Sequence, residues 1–503
     1  METFSGLLQG FQVALEPVNL AVAFLGVVLG LVIGILPGLG GTSGVAILLP
    51  LTVFIAPTSG IIFLASIYWG ALFGGVITSI LFNIPGEPWS VALLFDGYPL
   101  ARKGRAGLAL TAAFLASIFG ALVAVAIFSF LMKPLAEFSL KFGPPEMFAI
   151  MLMAFATFVG LGGAAPLKTV IMLVTGLLLA MVGLDVVTGM PRFTFGTITL
   201  LNGFHFVPIT IGLYGLGEIL ASAEEGVAKL VGLQGRVGWR DLRETLRELK
   251  ARFLTLLGST VLGFWVGILP GTGATPASFL GYGIARQYSK EREAFGSGKL
   301  EGVIAPQAAA QAAGIGALLP MITLGIPGSP TAAVLLAGLF TWGLLPGPQL
   351  FVEKPDFVWG LVASMYLGNF MALLICLLAV PLLAAIMRTP YAILTPFIVL
   401  ISLVGSYVIQ NSLFDVWLTL LFGLVGYVLK KLRYPLAPLV VALVLGDLAE
   451  RSLRQSLIMA DGSPAIFFTR PLSALFMALA FLLFLWPLLR PALARLAPRP
   501  LEL

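Results

Sequence analysis

IGILPGLGGTS at residues 33–43 and VGILPGTGATP at residues 266–276 are one motif written twice, with seven of eleven positions identical at an offset of 233. A second pair follows in the same order. FNIPGEPWSVALL at 82–94 matches LGIPGSPTAAVLL at 324–336 at an offset of 242. The nine extra residues fall in the charged run ARQYSKEREAFGSGK, between the two motifs of the second copy. Two motifs in one order at nearly one offset indicate an internal duplication. The copies are residues 1–223 and 253–503, separated by a connector at 224–252.

Composition identifies the solvent around these copies. Hydrophobic residues make up 59% of 503 and charged residues only 10%, with a mean hydropathy of +1.04. A soluble domain carries about 25% charged residues. Lipid must therefore cover much of this surface, and every polar residue left at membrane depth costs free energy. The 58 glycines and 33 prolines lie inside apolar runs, which reads as tightly packed or broken helices rather than disorder. A crossing needs roughly 20 apolar residues. Such windows fall at 18–36, 58–84, 107–132, 146–164, 168–187, 205–222, 253–270, 303–325, 357–386, 390–410, 413–429, 434–448 and 471–488. Shorter apolar runs at 42–56, 274–285 and 330–343 suit re-entrant half-helices. The expected fold is an all-α polytopic membrane protein of about 11–13 transmembrane helices plus half-helices, built as two inverted repeats.

Inversion comes from charge bias. No Lys or Arg precedes Arg102, and LARKGRAG then supplies three together. The connector holds seven basic and five acidic residues, and its part GWRDLRETLRELKARF has Leu242, Leu246, Leu249 and Phe253 at helical spacing. Both segments read as cytoplasmic. The loop LLPGPQLFVEKPD of the second copy has one Lys and two acids and reads as periplasmic, which puts the N-terminus outside. Arg451, Arg454 and Arg470 fit this count less well. The net charge of +6 thus belongs to loops and does not point to nucleic acid. METFSGLLQGFQVALEP lacks a basic region before its first apolar run, so no cleaved signal peptide is expected. Cys376, the single cysteine, supports no disulfide and reads as a small buried hydrophobe.

Broken helices in inverted repeats place a binding site near the bilayer midplane. Four Pro–Gly breaks exist: Pro37-Gly38, Pro85-Gly86, Pro270-Gly271 and Pro327-Gly328. Each frees backbone groups that lipid cannot satisfy. The start of the next half-helix presents N–H donors and a partial positive charge, which suits a carboxylate. Substrate-binding candidates are Gly38, Gly40, Thr42 and Ser43; Asn83, Gly86 and Ser90; Gly271, Gly273, Thr275 and Ser278; and Gly328, Ser329 and Thr331. Carbonyls at Pro37, Pro85, Pro270 and Pro327 suit a coupling cation. Gln307 and Gln311, further coupling-ion candidates, lie one turn apart and either line a polar path or bond across helices as packing glue. The competing reading of the breaks is a set of packing kinks. Glu87 is placed to cap a half-helix rather than touch substrate. Asp185, Glu218, Asp415 and Asp447 fall near span ends, where an interfacial role is the default, and His205 sits between two phenylalanines. Enzyme motifs are nearly absent: GSGK at 296–299 lacks the first glycine and the final Ser or Thr of a phosphate loop. No cofactor and no metal centre is expected.

The segments 34–110 and 263–351, from GILPGLGGTS through ARKGRAGLAL and from GILPGTGATP through GLLPGPQLF, resemble the large membrane subunit of tripartite tricarboxylate transporters. The resemblance implies a multi-pass permease of the bacterial inner membrane. It implies two partners, a small membrane subunit and a periplasmic solute-binding protein. It also implies import of tri- or dicarboxylates by symport with Na+ or H+ rather than by ATP hydrolysis. Relatives commonly read APEAANNAA where this chain reads APQAAAQAA at 305–313, with Gln307 for the acid and Ala310 and Gln311 for the Asn pair. That departure bears on coupling or specificity. Three other classes stand beside this one: a stand-alone carboxylate permease, a lipid-acting membrane enzyme, for which no acid cluster or metal set is found, and a sensor, for which no soluble output domain is found.

Overall fold

The computed structural model describes residues 2–36, 38–161, 165–185, 188–225, 237–386 and 391–496. In chain order its main helices are α1 (Glu2–Ala14), α2 (Pro17–Ile35), α3 (Gly41–Leu48), α4 (Pro57–Phe82), α5 (Ala106–Ser139), α6 (Pro144–Leu161), α7 (Pro166–Ala180), α8 (Gly217–Glu225) and α9 (Trp239–Ala251). The second copy continues with α10 (Phe253–Ile268), α11 (Ala274–Tyr288), α12 (Glu301–Gly316), α13 (Pro330–Thr341), α14 (Pro355–Ile386), α15 (Tyr391–Gln410), α16 (Leu413–Lys431), α17 (Leu436–Met459) and α18 (Pro471–Leu496). Strand structure among the described residues is one antiparallel pairing of Gly183–Leu184 with Pro191–Arg192. The protein is an all-α polytopic membrane protein.

Among the described residues, six helices are long and apolar enough to cross a membrane, or seven when the bent pair α9 and α10 counts as one span. Seven further apolar helical stretches of 10–17 residues occur among the described residues, some of them, as in α15 and α18, parts of longer helices. Two of the runs read as half-helices, at 41–54 and 330–341, are among the short ones, and the third forms α11. The cause is local. Proline removes one donor of the helix ladder and the glycine beside it relaxes the turn, and helices end at Pro85-Gly86, Pro270-Gly271 and Pro327-Gly328.

Contacts divide the chain into two compact units. The first comprises Met1–Ser139, His205–Ile268 and Gly273–Leu432, and the second Leu140–Phe204, Leu269–Thr272 and Arg433–Leu503. Each unit draws on both sequence copies.

Inside the first unit the duplication is visible atom by atom. A methyl added at Gly30 or Gly34 of α2 would lie 2.2 or 2.3 Å from the carbonyl oxygens of Ile67 or Ala71 on α4. In the second copy, Gly263 and Gly267 of α10 stand equally close, 2.2 Å, to the carbonyls of Ala309 and Ala313 on α12. Those positions are related by the same offsets, 233 and 242, found in the sequence. The reverse contacts match as well: Gly74 meets Leu31 and Gly316 meets Phe264. Helix turns end alike too. Asn83, at φ 58°, and Gly325, at φ 73°, close α4 and the extension of α12 in left-handed conformations. In lipid there is no hydrophobic drive between helices, so such small-residue contacts supply the packing.

The second unit is a four-helix group. α18 packs on α6, and α17 packs on α6 and α7. Arg470 Nε donates to Glu146 at 2.7 Å, and Arg454 and Arg192 flank Asp185 at 2.9 and 3.5 Å. Arg192 also pairs with Glu450 at 2.6 Å. Two of the arginines that disturbed the charge count, Arg454 and Arg470, are therefore neutralised by acids of their own unit.

Gly267→Leu should prise α10 from α12 and cost about 2–3 kcal/mol. Gly258→Leu, on the same helix but with nothing within 4 Å of its added methyl, should leave the melting temperature in detergent unchanged. Equal melting of the two variants would refute the packing argument.

Candidate functional site

Within the first unit, hydrogen bonds tie together the starts of α3, α11 and α13. Gly273 N donates to Gly328 O at 3.1 Å, joining the start of α11 to the break before α13. The Thr42 and Thr331 hydroxyls share a hydrogen bond at 2.8 Å, joining α3 to α13. These bonds are made by residues 289 positions apart for the threonine pair. The second and fourth breaks are seated in matching ways. A methyl at Gly86 would lie 2.5 Å from Gly34 O, and one at Gly328 would lie 2.3 Å from Gly267 O. Gly328 N donates to Ala317 O at 3.1 Å. Tyr68, buried on α4, turns its hydroxyl toward the Ser329 and Thr331 side chains.

The two copies differ at one decisive position. Gly41 N, the first amide of α3, donates to Glu87 Oε1 at 2.6 Å. Glu87 reaches across from the second break, and a methyl at Gly40 would lie 2.6 Å from its Cγ. The first amide of α3, where an external carboxylate would dock, thus already holds an internal one. The counterpart of Glu87 in the second copy is Ser329. Its hydroxyl accepts from Ala332 N at 3.1 Å and caps α13. Ser329 lies beside the start of α11, where a methyl at Gly273 would meet its Cβ at 3.1 Å, but it brings no charge there. Glu87 therefore caps a half-helix, as its position suggested, although the helix it caps belongs to the other break of its copy.

The remaining candidates divide into partnered and unpartnered groups. Ser90 Oγ donates to Glu87 O at 2.8 Å, completing a local cap. Asn83 is exposed and serves as the left-handed end of α4. Ser43 is buried on α3, Thr275 is half-buried on α11, and Ser278 is fully buried with no partner for its hydroxyl. Gln307 Nε2 donates to Ser117 Oγ at 2.7 Å and Gln311 Nε2 to Asn369 Oδ1 at 2.6 Å, so both amides bond across helices. Their Oε1 atoms are buried and without a partner. Glu218 stands at the first break, where a methyl at Gly38 would lie 2.5 Å from its Oε1, and it pairs with Lys430 of α16. Gly38 and Gly271 share positive φ, +85° and +77°. Gly271 and Pro270 belong to the second unit, where Gly271 faces the Phe158 ring. Pro85 is half-buried and Pro327 buried. Pro37 lies outside the described residues.

One further anion cradle is structural. Asp96, fully buried, accepts through Oδ1 from the backbone amides of Gly296, Gly298 and Lys299 at 2.9, 2.8 and 2.7 Å. Tyr282 donates to its Oδ2 at 2.9 Å. The GSGK run is thus a nest of successive N–H groups filled by a carboxylate of the first copy. Lys103 adds a bond to Ser297 O at 2.6 Å. Lys299 pairs with Glu291 and holds that carboxyl below its ordinary range by the hydrogen bond it donates. Among the described residues no group of three His, Cys, Asp or Glu side chains could hold a metal ion.

Sequence reading missed Tyr68, Asp96 and the Glu218–Lys430 pair. A tyrosine in the middle of a long apolar span was a usable signal, because polar groups at that depth are expensive. The other two are pairings between remote segments and had none.

Duplicated broken helices, interlocked through buried hydroxyls and backbone amides, define a polytopic membrane protein of the transporter type. The chain belongs to the tripartite tricarboxylate transporter TctA family, whose pattern it matches over residues 20–441. It is 38% identical over 478 residues, 95% of each chain, to an Agrobacterium vitis protein described as an uncharacterized 52.8 kDa protein in the TAR-I ttuC' 3' region. A second Agrobacterium vitis protein, from the TAR-II ttuC' 3' region, is 37% identical over 212 residues, which is 42% of this chain and 88% of the relative. No solved structure matches. The protein is accordingly a membrane component of a tricarboxylate transporter family.

Asp96→Ala should free the 289–299 loop, raising its cleavage rate in limited proteolysis and costing about 3 kcal/mol through four lost bonds to a charged group. Unchanged cleavage would show that the nest does not depend on Asp96.

Proposed function

We propose that this protein is the permease of a binding-protein-dependent secondary transporter that imports a tri- or dicarboxylate across the bacterial inner membrane. One observation carries the reading: the start of α3 already holds the Glu87 carboxylate, while its duplicate at α11 has Ser329 in the equivalent position. A half-helix start that binds a carboxylate in one copy has the chemistry to bind one in the other. The substrate carboxylate then takes the amides of Ala274 and Thr275, the counterparts of Gly41 and Thr42, beside the Ser329 and Thr331 hydroxyls and Tyr68. Ser278 supplies a further buried hydroxyl on the same helix. Gln307 and Gln311 direct their free acceptor oxygens to a coupling Na+ or to a proton carrier, and the ion gradient drives accumulation. A small membrane subunit and a periplasmic solute-binding protein complete the system, as the family implies.

The experiment is uptake of labelled citrate and other di- and tricarboxylates into proteoliposomes, with and without a sodium or proton gradient and with and without the cognate binding protein. Accumulation should require both gradient and binding protein. Uptake without the binding protein would instead identify a stand-alone permease. Ser329→Glu, which copies the first half into the second, should lower uptake at least about tenfold while the protein still inserts. Ser329→Thr should transport. Full uptake by Ser329→Glu would remove the α11 site. Gly38→Val and Gly271→Val, both at positive φ, should abolish uptake with insertion intact.

A further inference from the structure

α9 leaves α10 at a sharp angle: the two helices meet at Arg252 with a bend of 79°. If α10 runs across the bilayer, α9 runs nearly parallel to its surface. Its faces are sorted accordingly. At about 100° per residue, Thr245 and Leu249 share one face, and both are buried in a helix that packs on α5. Beside them, Trp239 and Leu246 form a stripe one heptad apart, exposed to 80% and 55%. Arg240, Arg243, Arg247 and Lys250 come next, all exposed and gathered in an arc of about 80°. None of these four has an ion-pair partner among the described residues.

The acids of α9 are occupied elsewhere. Asp241 accepts from Gly238 N at 2.9 Å, Glu244 pairs with Arg105, and Glu248 pairs with Arg252. Arg252 also reaches Glu301 at 3.2 Å. The helix therefore presents an uncompensated cationic arc next to an exposed apolar stripe. At its foot, Phe253 and Leu254 of α10 are exposed as well.

We propose that α9 is an interfacial anchor that binds anionic phospholipid: Arg240, Arg243, Arg247 and Lys250 seat the phosphate headgroups, while Trp239 and Leu246 enter the acyl boundary. The order of faces matches a bilayer surface, where apolar contact and negative charge lie side by side. A tryptophan adds an anchor suited to that depth. The long Arg and Lys stems let their heads snorkel from the apolar stripe to the headgroups.

The test uses the full chain in vesicles of phosphatidylcholine with or without phosphatidylglycerol. Cys376 is buried, so a spin label on Leu246→Cys reports α9 alone. Its accessibility to oxygen and to a water-soluble nickel complex gives its depth. The label should lie at headgroup depth in phosphatidylglycerol vesicles, with nickel accessibility several-fold lower than in phosphatidylcholine alone. Raising the salt from 50 to 500 mM should reverse much of that difference, because headgroup attraction is screened. This arm needs no further substitution. Arg240→Gln/Arg243→Gln/Arg247→Gln/Lys250→Gln should abolish the lipid dependence. A label as nickel-accessible as a bulk-water site in both lipids would overturn the proposal. So would one shielded from both reagents, which would mean a protein partner or second copy, or one indifferent to lipid charge and salt.

Discussion

A backbone group freed by a helix break has no water to turn to at membrane depth, and this one requirement organises the first unit. Breaks in α2, α4, α10 and α12 release amides and carbonyls that only protein can satisfy. Gly328 N finds Ala317 O, Gly273 N finds Gly328 O, and Gly41 N finds Glu87. Each of these bonds closes within one copy, and the Thr42–Thr331 hydroxyl pair joins one copy to the other. The same requirement explains the glycines of α2 and α10, because the helices beside the breaks must approach to carbonyl contact before the breaks can reach one another.

Much of this arrangement was legible in the sequence, and the reason is physical. A duplication preserves spacing, so the offsets of 233 and 242 carried over unchanged into paired glycine contacts. Proline and glycine act locally, so the half-helices began where the breaks lay. Helix length was harder to read. Hydropathy measures apolar content and not where a ladder ends, so the window 168–187 looked like a crossing but holds the 15-residue α7, which stops at Ala180.

Partnerships across long separations were not legible. Glu87 and Gly41 are 46 residues apart, and Asp96 and the GSGK run about 200. Nothing in either segment specifies the other, since a carboxylate and a row of amides complement any number of partners. Charge counting failed for Arg454 and Arg470 for a related reason. A paired arginine no longer reports which side of the membrane it faces, because the acid beside it has cancelled its electrostatic preference.

The carboxylate of Glu87 has a consequence for how many ligands a duplicated chain can hold. A group tethered in place competes at its effective concentration, which for short tethers reaches the millimolar range or above, and it does not diffuse away when the solute is scarce. The first-copy helix start is thus saturated at every solute level. A protein with two equivalent anion positions would titrate in two steps, whereas one that has satisfied the first covalently can respond only through the second. On the function proposed above, the duplication yields a scaffold with twofold packing and a single degree of occupancy, and the side chain at position 87 sets that number.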